Sequence, residues 1–214
     1  GALFMTHSDD QGLVLPPALA PTQVVVVPIW QEETKDEVHE YAAELAVDLE
    51  DAGVRVELDD RDHYNPGFKF NEHELEGVPL RIEVGPHEVE DGEATLVHRP
   101  DGESEAVDRE GIGETVSDHL DTVHAKLYAS AEETLEGEIR EGESREEILG
   151  TIGQHGGYVK CGWCGDEECE DPIKEAIAAE IVMVPLDRDE EPIHDDCAIC
   201  GDEAEETAYF AKSY

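Results

Sequence analysis

The chain has 214 residues, and its 56 acidic against 14 basic side chains give a formal charge of -42. That charge excludes bulk attraction to phosphate or to an acidic membrane as the main source of binding, and it points to work in molar salt, where the Debye length falls to ~3 Å and repulsion between surface carboxylates is screened. Apolar residues make up 39% of the chain and fall in periodic runs, which excludes an acidic disordered protein. No apolar stretch approaches the ~20 residues of a membrane span and no basic flank precedes an apolar segment, so one or two domains of a cytoplasmic protein are expected.

Gly1 opens directly onto the apolar run GALFM, as though cut from a longer protein. After a turn-rich stretch at 7–12, QGLVLPPALAP reads as a short strand ended by Pro16 and Pro17, with Pro21 marking a linker. Four consecutive valines, 24–27, followed by Pro28 and Ile29 predict a strand buried on both faces at the centre of a parallel sheet. Val38, Tyr41, Ala42, Leu45, Leu49 and Ala52 recur at helical spacing, with Gly53 at the C-cap and RVELDD at 55–60 as the next strand, which makes a βαβ unit. The alternation continues with a helix over 66–76, strand LRIEVG at 80–85, and strands EATLVHRP and EAVDRE joined through the turn Pro100-Asp101-Gly102. A long helix is predicted from Ile112 to Arg140, with Val116, Leu120, Val123 and Leu127 on its inner face. Past Gly142 short elements, glycine turns and cysteines mark a small second domain.

Cys164 and Cys169, then Cys197 and Cys200, are spaced as two clips separated by a loop. Two such clips supply four thiolates to one tetrahedral Zn²⁺, a closed structural site with no open position for water or substrate. Cys161 and Cys164 form an even tighter clip, so spacing alone leaves open whether Cys161 or Cys169 is the fourth ligand. His155 and His194 lie close enough in sequence to substitute.

The stretch DDRDHYNPGFKFNEHELEGVPLRIEVGP, from Asp59 to Pro86, resembles the anticodon-binding domain of prolyl-tRNA synthetases of the archaeal and eukaryotic type. HSDDQGLVLPPALAPTQVVVVPI resembles the end of that family's third class II motif running into the anticodon domain, while CGDEECED, CAIC and AYFAKSY resemble its C-terminal zinc domain and tail. The resemblance implies an α/β fold: a remnant of the catalytic domain at 1–23, a mixed-sheet anticodon-binding domain at 24–140, and a small α+β zinc-binding domain at 141–214. It implies Cys164, Cys169, Cys197 and Cys200 as the zinc ligands, with Cys161 the extra thiol. Asp9, Asp10 and Gly12 are then scaffold beside an absent active site. The family's ATP and proline contacts lie before Gly1, so no catalytic residue is assigned and ATP with Mg²⁺ belongs to the complete enzyme.

An anticodon loop is single stranded and its bases can be read on their Watson–Crick edges. Proline anticodons carry two guanines; a carboxylate accepts from guanine N1 and N2, and Arg or Lys donates to O6 and N7. Lys69, Glu74 and Arg81 supply this chemistry and, by the resemblance, align with the family's anticodon-contacting region; His87 and Glu88 stand where the family often has a basic residue followed by Asp, a departure from its pattern, and Tyr64 and Phe68 offer stacking faces. The implied function is the tRNA-recognition part of a proline–tRNA ligase. It would bind tRNA(Pro), join a catalytic domain, form a homodimer in the complete enzyme, and be inactive alone. The alternative is a stand-alone RNA-binding module that does not aminoacylate.

Overall fold

In the computed structural model, which describes residues 1–186 and 191–212, the N-terminal segment forms a helix, α1 (Ala2–Thr6), and a hairpin of β1 (Ser8–Asp9) with β2 (Gly12–Leu13). The strand expected over QGLVL is therefore only two residues long. Asp9 Oδ1 accepts from the backbone N–H of Gln11 and Gly12, which turns the chain back on itself. Gly12 sits at φ +142, and a Cβ there would lie 2.4 Å from Leu75 Cα, so only glycine fits this approach.

The valines form β3 (Val24–Pro28), buried at all five positions. Next come α2 (Lys35–Asp51), β4 (Val56–Leu58), α3 (Pro66–Glu76) and β5 (Leu80–Val84). β3 pairs in parallel with both β4 and β5, so its alternate side chains face opposite layers. Val24 and Val26 join a cluster with Val38, Ala42, Leu45 and Leu49 of α2, while Val25 and Val27 pack with Val78 and Phe70 on the side of α3. Each fully buried Val or Leu contributes ~1.5–3 kcal/mol of transfer free energy, which makes this double-faced strand the anchor of the layer. Gly53 and Gly77, at φ +85 and +77, end the two helices.

α4 (Pro86–Asp91), β6 (Glu93–His98), β7 (Ser104–Asp108) and α5 (Ile112–Glu138) follow. The strand order is β4-β3-β5-β6-β7, with the last two antiparallel, so the sheet is mixed as expected. The periodicity of 86–91 gave no sign of α4, because six residues are too few for it. α5 buries Ile112, Val116, Leu120 and Val123. It stops before Arg140, which lies in β8 (Ile139–Glu141) and pairs in parallel with the later strand at 158–163.

The chain divides into two units between Ala129 and Ser130. The second contains β8, α6 (Arg145–His155), β9 (Tyr158–Trp163), α7 (Asp171–Ile177), β10 (Ala179–Met183) and β11 (Glu206–Lys212). Its sheet, β10-β11-β9-β8, is mixed too. Ile148, Ile152, Val159, Cys161, Ile173 and Phe210 fill its core. The resemblance of the tail reaches Tyr214, which lies outside the described residues. No described helix is long and apolar enough to cross a membrane.

Candidate nucleic-acid interface and cysteine cluster

β5 alternates strictly: Leu80, Ile82 and Val84 are buried on one face, and Arg81 and Glu83 point to the other. α3 lies on that second face and carries Glu74. Arg81 Nη1 donates to Glu74 Oε1 at 3.0 Å and Nε donates to Glu83 Oε1 at 2.9 Å, while the guanidinium sits 4.1 Å from the centre of the Phe70 ring. Two carboxylates and a ring thus fix the plane of Arg81, and Nη2 keeps no protein partner among the described residues. The pair lines a recess of about 790 Å³ together with Asp9, His98, Arg99 and the turn at 100–102. A held guanidinium beside a carboxylate presents donors and acceptors together, which is what a guanine edge requires.

Lys69 differs from its expected place. It is 2% exposed, and its Nζ donates to the Asp59 carbonyl at 2.7 Å and stands 3.6 Å from Asp59 Oδ1, so its charge is turned inward toward Asp59. Asp59 is the post on which α3 hangs. His73 Nε2 lies 3.0 Å from Asp59 Oδ2, Arg61 donates to both carboxylate oxygens at 2.8 and 2.7 Å, and Arg61 also bridges to Glu72. Burial pushes the Asp59 carboxyl up, but the Arg61 and His73 hydrogen bonds and the Lys69 charge outweigh it and hold the group far below the usual carboxylate range.

Glu88 also has other employment. Its two oxygens accept from the Gly85 backbone N–H at 2.9 Å and from Thr95 Oγ1 at 3.1 Å, capping α4. His87 is exposed on the same helix. Neither lines the recess. Tyr64 and Phe68 are exposed and stack on each other, centroids 4.4 Å apart and planes 13° from parallel, beside a smaller recess of about 270 Å³.

Sequence reasoning missed Arg99. This residue, 8% exposed, donates through Nη1 and Nη2 to Asp9 at 2.9 and 2.7 Å and through Nε to the Glu74 carbonyl at 3.1 Å. It clamps the N-terminal hairpin to the end of α3. The Arg99 hydrogen bond, against the upward pull of burial, brings the Asp9 carboxyl down to about 2. No local signal announces a contact between residues so far apart in the chain.

In the second unit the sulfurs of Cys164, Cys169, Cys197 and Cys200 all lie within 4.8 Å of one another. Cys164 is 3.6 Å from Cys169 and 3.7 Å from Cys200. Four sulfurs at ~2.3 Å from a tetrahedral Zn²⁺ are ~3.8 Å apart, so the spacing fits a closed S₄ site. Gly165 and Gly201, at φ +81 and +77, turn the chain just after Cys164 and Cys200. Burial raises the Cys197 thiol, yet backbone amides of Cys200, Ile199 and Cys164 bring it down to about 7. Cys161 stands apart: it follows Val159 by two residues, shares its core-facing side of β9, and is pushed up to about 12 by burial. His155 and His194 are not in the cluster.

Two family descriptions match the chain: "Anticodon binding domain" over residues 23–119 and "Prolyl-tRNA synthetase, C-terminal" over residues 145–214. A proline–tRNA ligase of Haloarcula marismortui is 86% identical over 214 residues, covering all of this chain and 44% of that protein. One from Halorubrum lacusprofundi is 72% identical over 218 residues, and one from Thermococcus kodakarensis is 41% identical over 215, each again covering 100% of this chain and 44% of the relative. The chain thus spans less than half the length of these relatives.

Proposed function

The chain belongs to the prolyl-tRNA synthetase family, of which it carries the anticodon-binding and C-terminal domains, and on that premise we propose that it selects tRNA(Pro) for a proline–tRNA ligase. The observation that carries this reading is the Arg81–Glu74 ion pair, held by Glu83 and Phe70 and turned toward an open recess. Each partner can exchange the other for a guanine: Glu74 accepting from N1 and N2, Arg81 donating to O6 and N7. Exposed His87 is a peripheral contact in this reading, Tyr64 and Phe68 are stacking faces, and Lys69 and Glu88 support α3 and α4. A surface of charge -42 does not oppose this in molar salt, where phosphate contacts are weakened and base hydrogen bonds and stacking carry recognition.

Cys164, Cys169, Cys197 and Cys200 would hold one structural Zn²⁺, which supplies folding free energy to the second unit and no open coordination position. Proline activation with ATP and Mg²⁺ belongs to a catalytic domain outside this chain, in a cytoplasmic, homodimeric enzyme. The test is filter binding in molar KCl of tRNA(Pro) and of the same RNA with its anticodon guanines replaced. The chain is expected to prefer tRNA(Pro) by ~1–3 kcal/mol per lost base contact, and Arg81→Ala is expected to abolish the preference. Equal retention of both RNAs by the unsubstituted chain overturns the assignment. The chain alone is expected to give no proline-dependent ATP–pyrophosphate exchange.

A further inference from the structure

The face shared by β6, β7 and α5 gathers a second set of metal-ligating side chains, in the first unit and independent of the RNA reading. Glu105 is directly across from Leu96 in the β6–β7 ladder, so its side chain shares a face with Leu96 and with His98 two residues on. His119 follows Val116 by three residues on α5, whose buried side chains pack in one cluster with Leu96, so it lies on the flank of that helix nearest the sheet. The register brings His98 Nε2 to 2.8 Å from His119 Nδ1, and Glu105 Oε1 to 3.9 Å from His119 Nε2. One ligand atom from each of the three residues lies within 4.8 Å of the others.

Two observations separate this cluster from an ordinary imidazole pair. His98 is 5% exposed, yet its Nδ1 has no hydrogen-bond partner. One proton is shared between His98 Nε2 and His119 Nδ1, the position an ion would take over, while His98 Nδ1 lies on another edge of its ring. The adjacent carboxylates Asp101 and Glu103 also come near His98, but Lys126 Nζ stands 2.5 and 2.7 Å from them as a built-in cation. Among the described residues no cation stands between His98, His119 and Glu105.

We propose that His98, His119 and Glu105 bind one divalent transition-metal ion of the Zn²⁺ or Cu²⁺ class at the rim of the recess that His98 lines. Two imidazoles and a carboxylate suit such borderline ions and leave positions for water. Bound there, the ion ties α5 to the β6–β7 hairpin and places a positive centre beside the recess.

The test uses the full chain in molar KCl with excess Mg²⁺, a hard ion that occupies surface carboxylates. Zn²⁺ is titrated against a chromophoric chelator after one equivalent has filled the cysteines. A second equivalent is expected in the unsubstituted chain. It should be lost in His119→Ala and weakened at least tenfold in Glu105→Gln, with the first equivalent and the circular dichroism spectrum unchanged. Absence of a second equivalent, or its survival at full affinity in Glu105→Gln, overturns the proposal. The Gln variant, at an exposed position, keeps the test valid even where His119→Ala does not fold.

Discussion

Replacing Asp59 by Asn removes one charge from the group that suspends α3 while keeping its volume. Asp59 and Lys69 have 0% and 2% of their side chains exposed, so Asn leaves a buried ammonium whose one strong contact is the residue-59 carbonyl at 2.7 Å. Breaking one side of a buried ion pair costs about 3–5 kcal/mol. The surviving carbonyl bond, and the freedom of Arg61 to turn outward from a side chain 35% exposed, place the expected loss near the lower bound, ~3 kcal/mol, or roughly a hundredfold in the folded-to-unfolded ratio. Urea unfolding in molar KCl measures it, with Trp163→Phe as background so that Trp30 reports the first unit. Because the pair is buried, the loss should not change as KCl is raised further. Adding Lys69→Met to Asp59→Asn removes the stranded charge and should restore stability to within ~1 kcal/mol of the parent. A loss under ~1 kcal/mol for the single variant, or a double variant as unstable as the single one, would refute the account of α3 as hung on a buried charge.

Cys161→Ser is expected to keep one Zn²⁺ per chain, and Cys169→Ser to lose tight binding along with the protease resistance of the second unit, as metal analysis and limited proteolysis would register; the reverse pattern counts against the S₄ assignment. Acid should release the N-terminal hairpin. Arg99 holds the folded Asp9 carboxyl at about 2 against an ordinary value of 3.8, so its stabilisation is complete above the ordinary value and is lost as pH falls toward the folded one. Asp9 is 42% exposed, which limits the effect to under ~1 kcal/mol. Urea midpoints at about pH 5 and about pH 3 in Arg99→Gln should lack that component; an unchanged pH slope would rule the clamp out.

What could be read along the chain was whatever is encoded at short range. Four valines in a row announce a strand with two buried faces, because alternate side chains can then face two layers. The helix expected over 66–76 forms as α3, and the cysteine clips carry their spacing with them. The family resemblance, rather than residue chemistry alone, singled out Arg81 and Glu74, which strand alternation and a neighbouring helix bring to 3.0 Å.

What the chain order concealed is decided by which face each residue turns to and by partners far away. Lys69 reads as a surface donor until Asp59 takes it inward, since a lysine is buried only where a partner offsets desolvation. Spacing alone slightly favours Cys161 over Cys169, the resemblance implies Cys169, and the pleat of β9 turns Cys161 into the core. The Arg99–Asp9 clamp and the His98–His119 contact join segments with no shared local pattern. Sequence by itself determined the longer elements and the donor atoms on offer, because those depend on near neighbours, while the short α4 and the strand at Arg140 escaped it. Only the tertiary structure chose which donors meet, because each meeting depends on sheet register and helix docking set by the whole core.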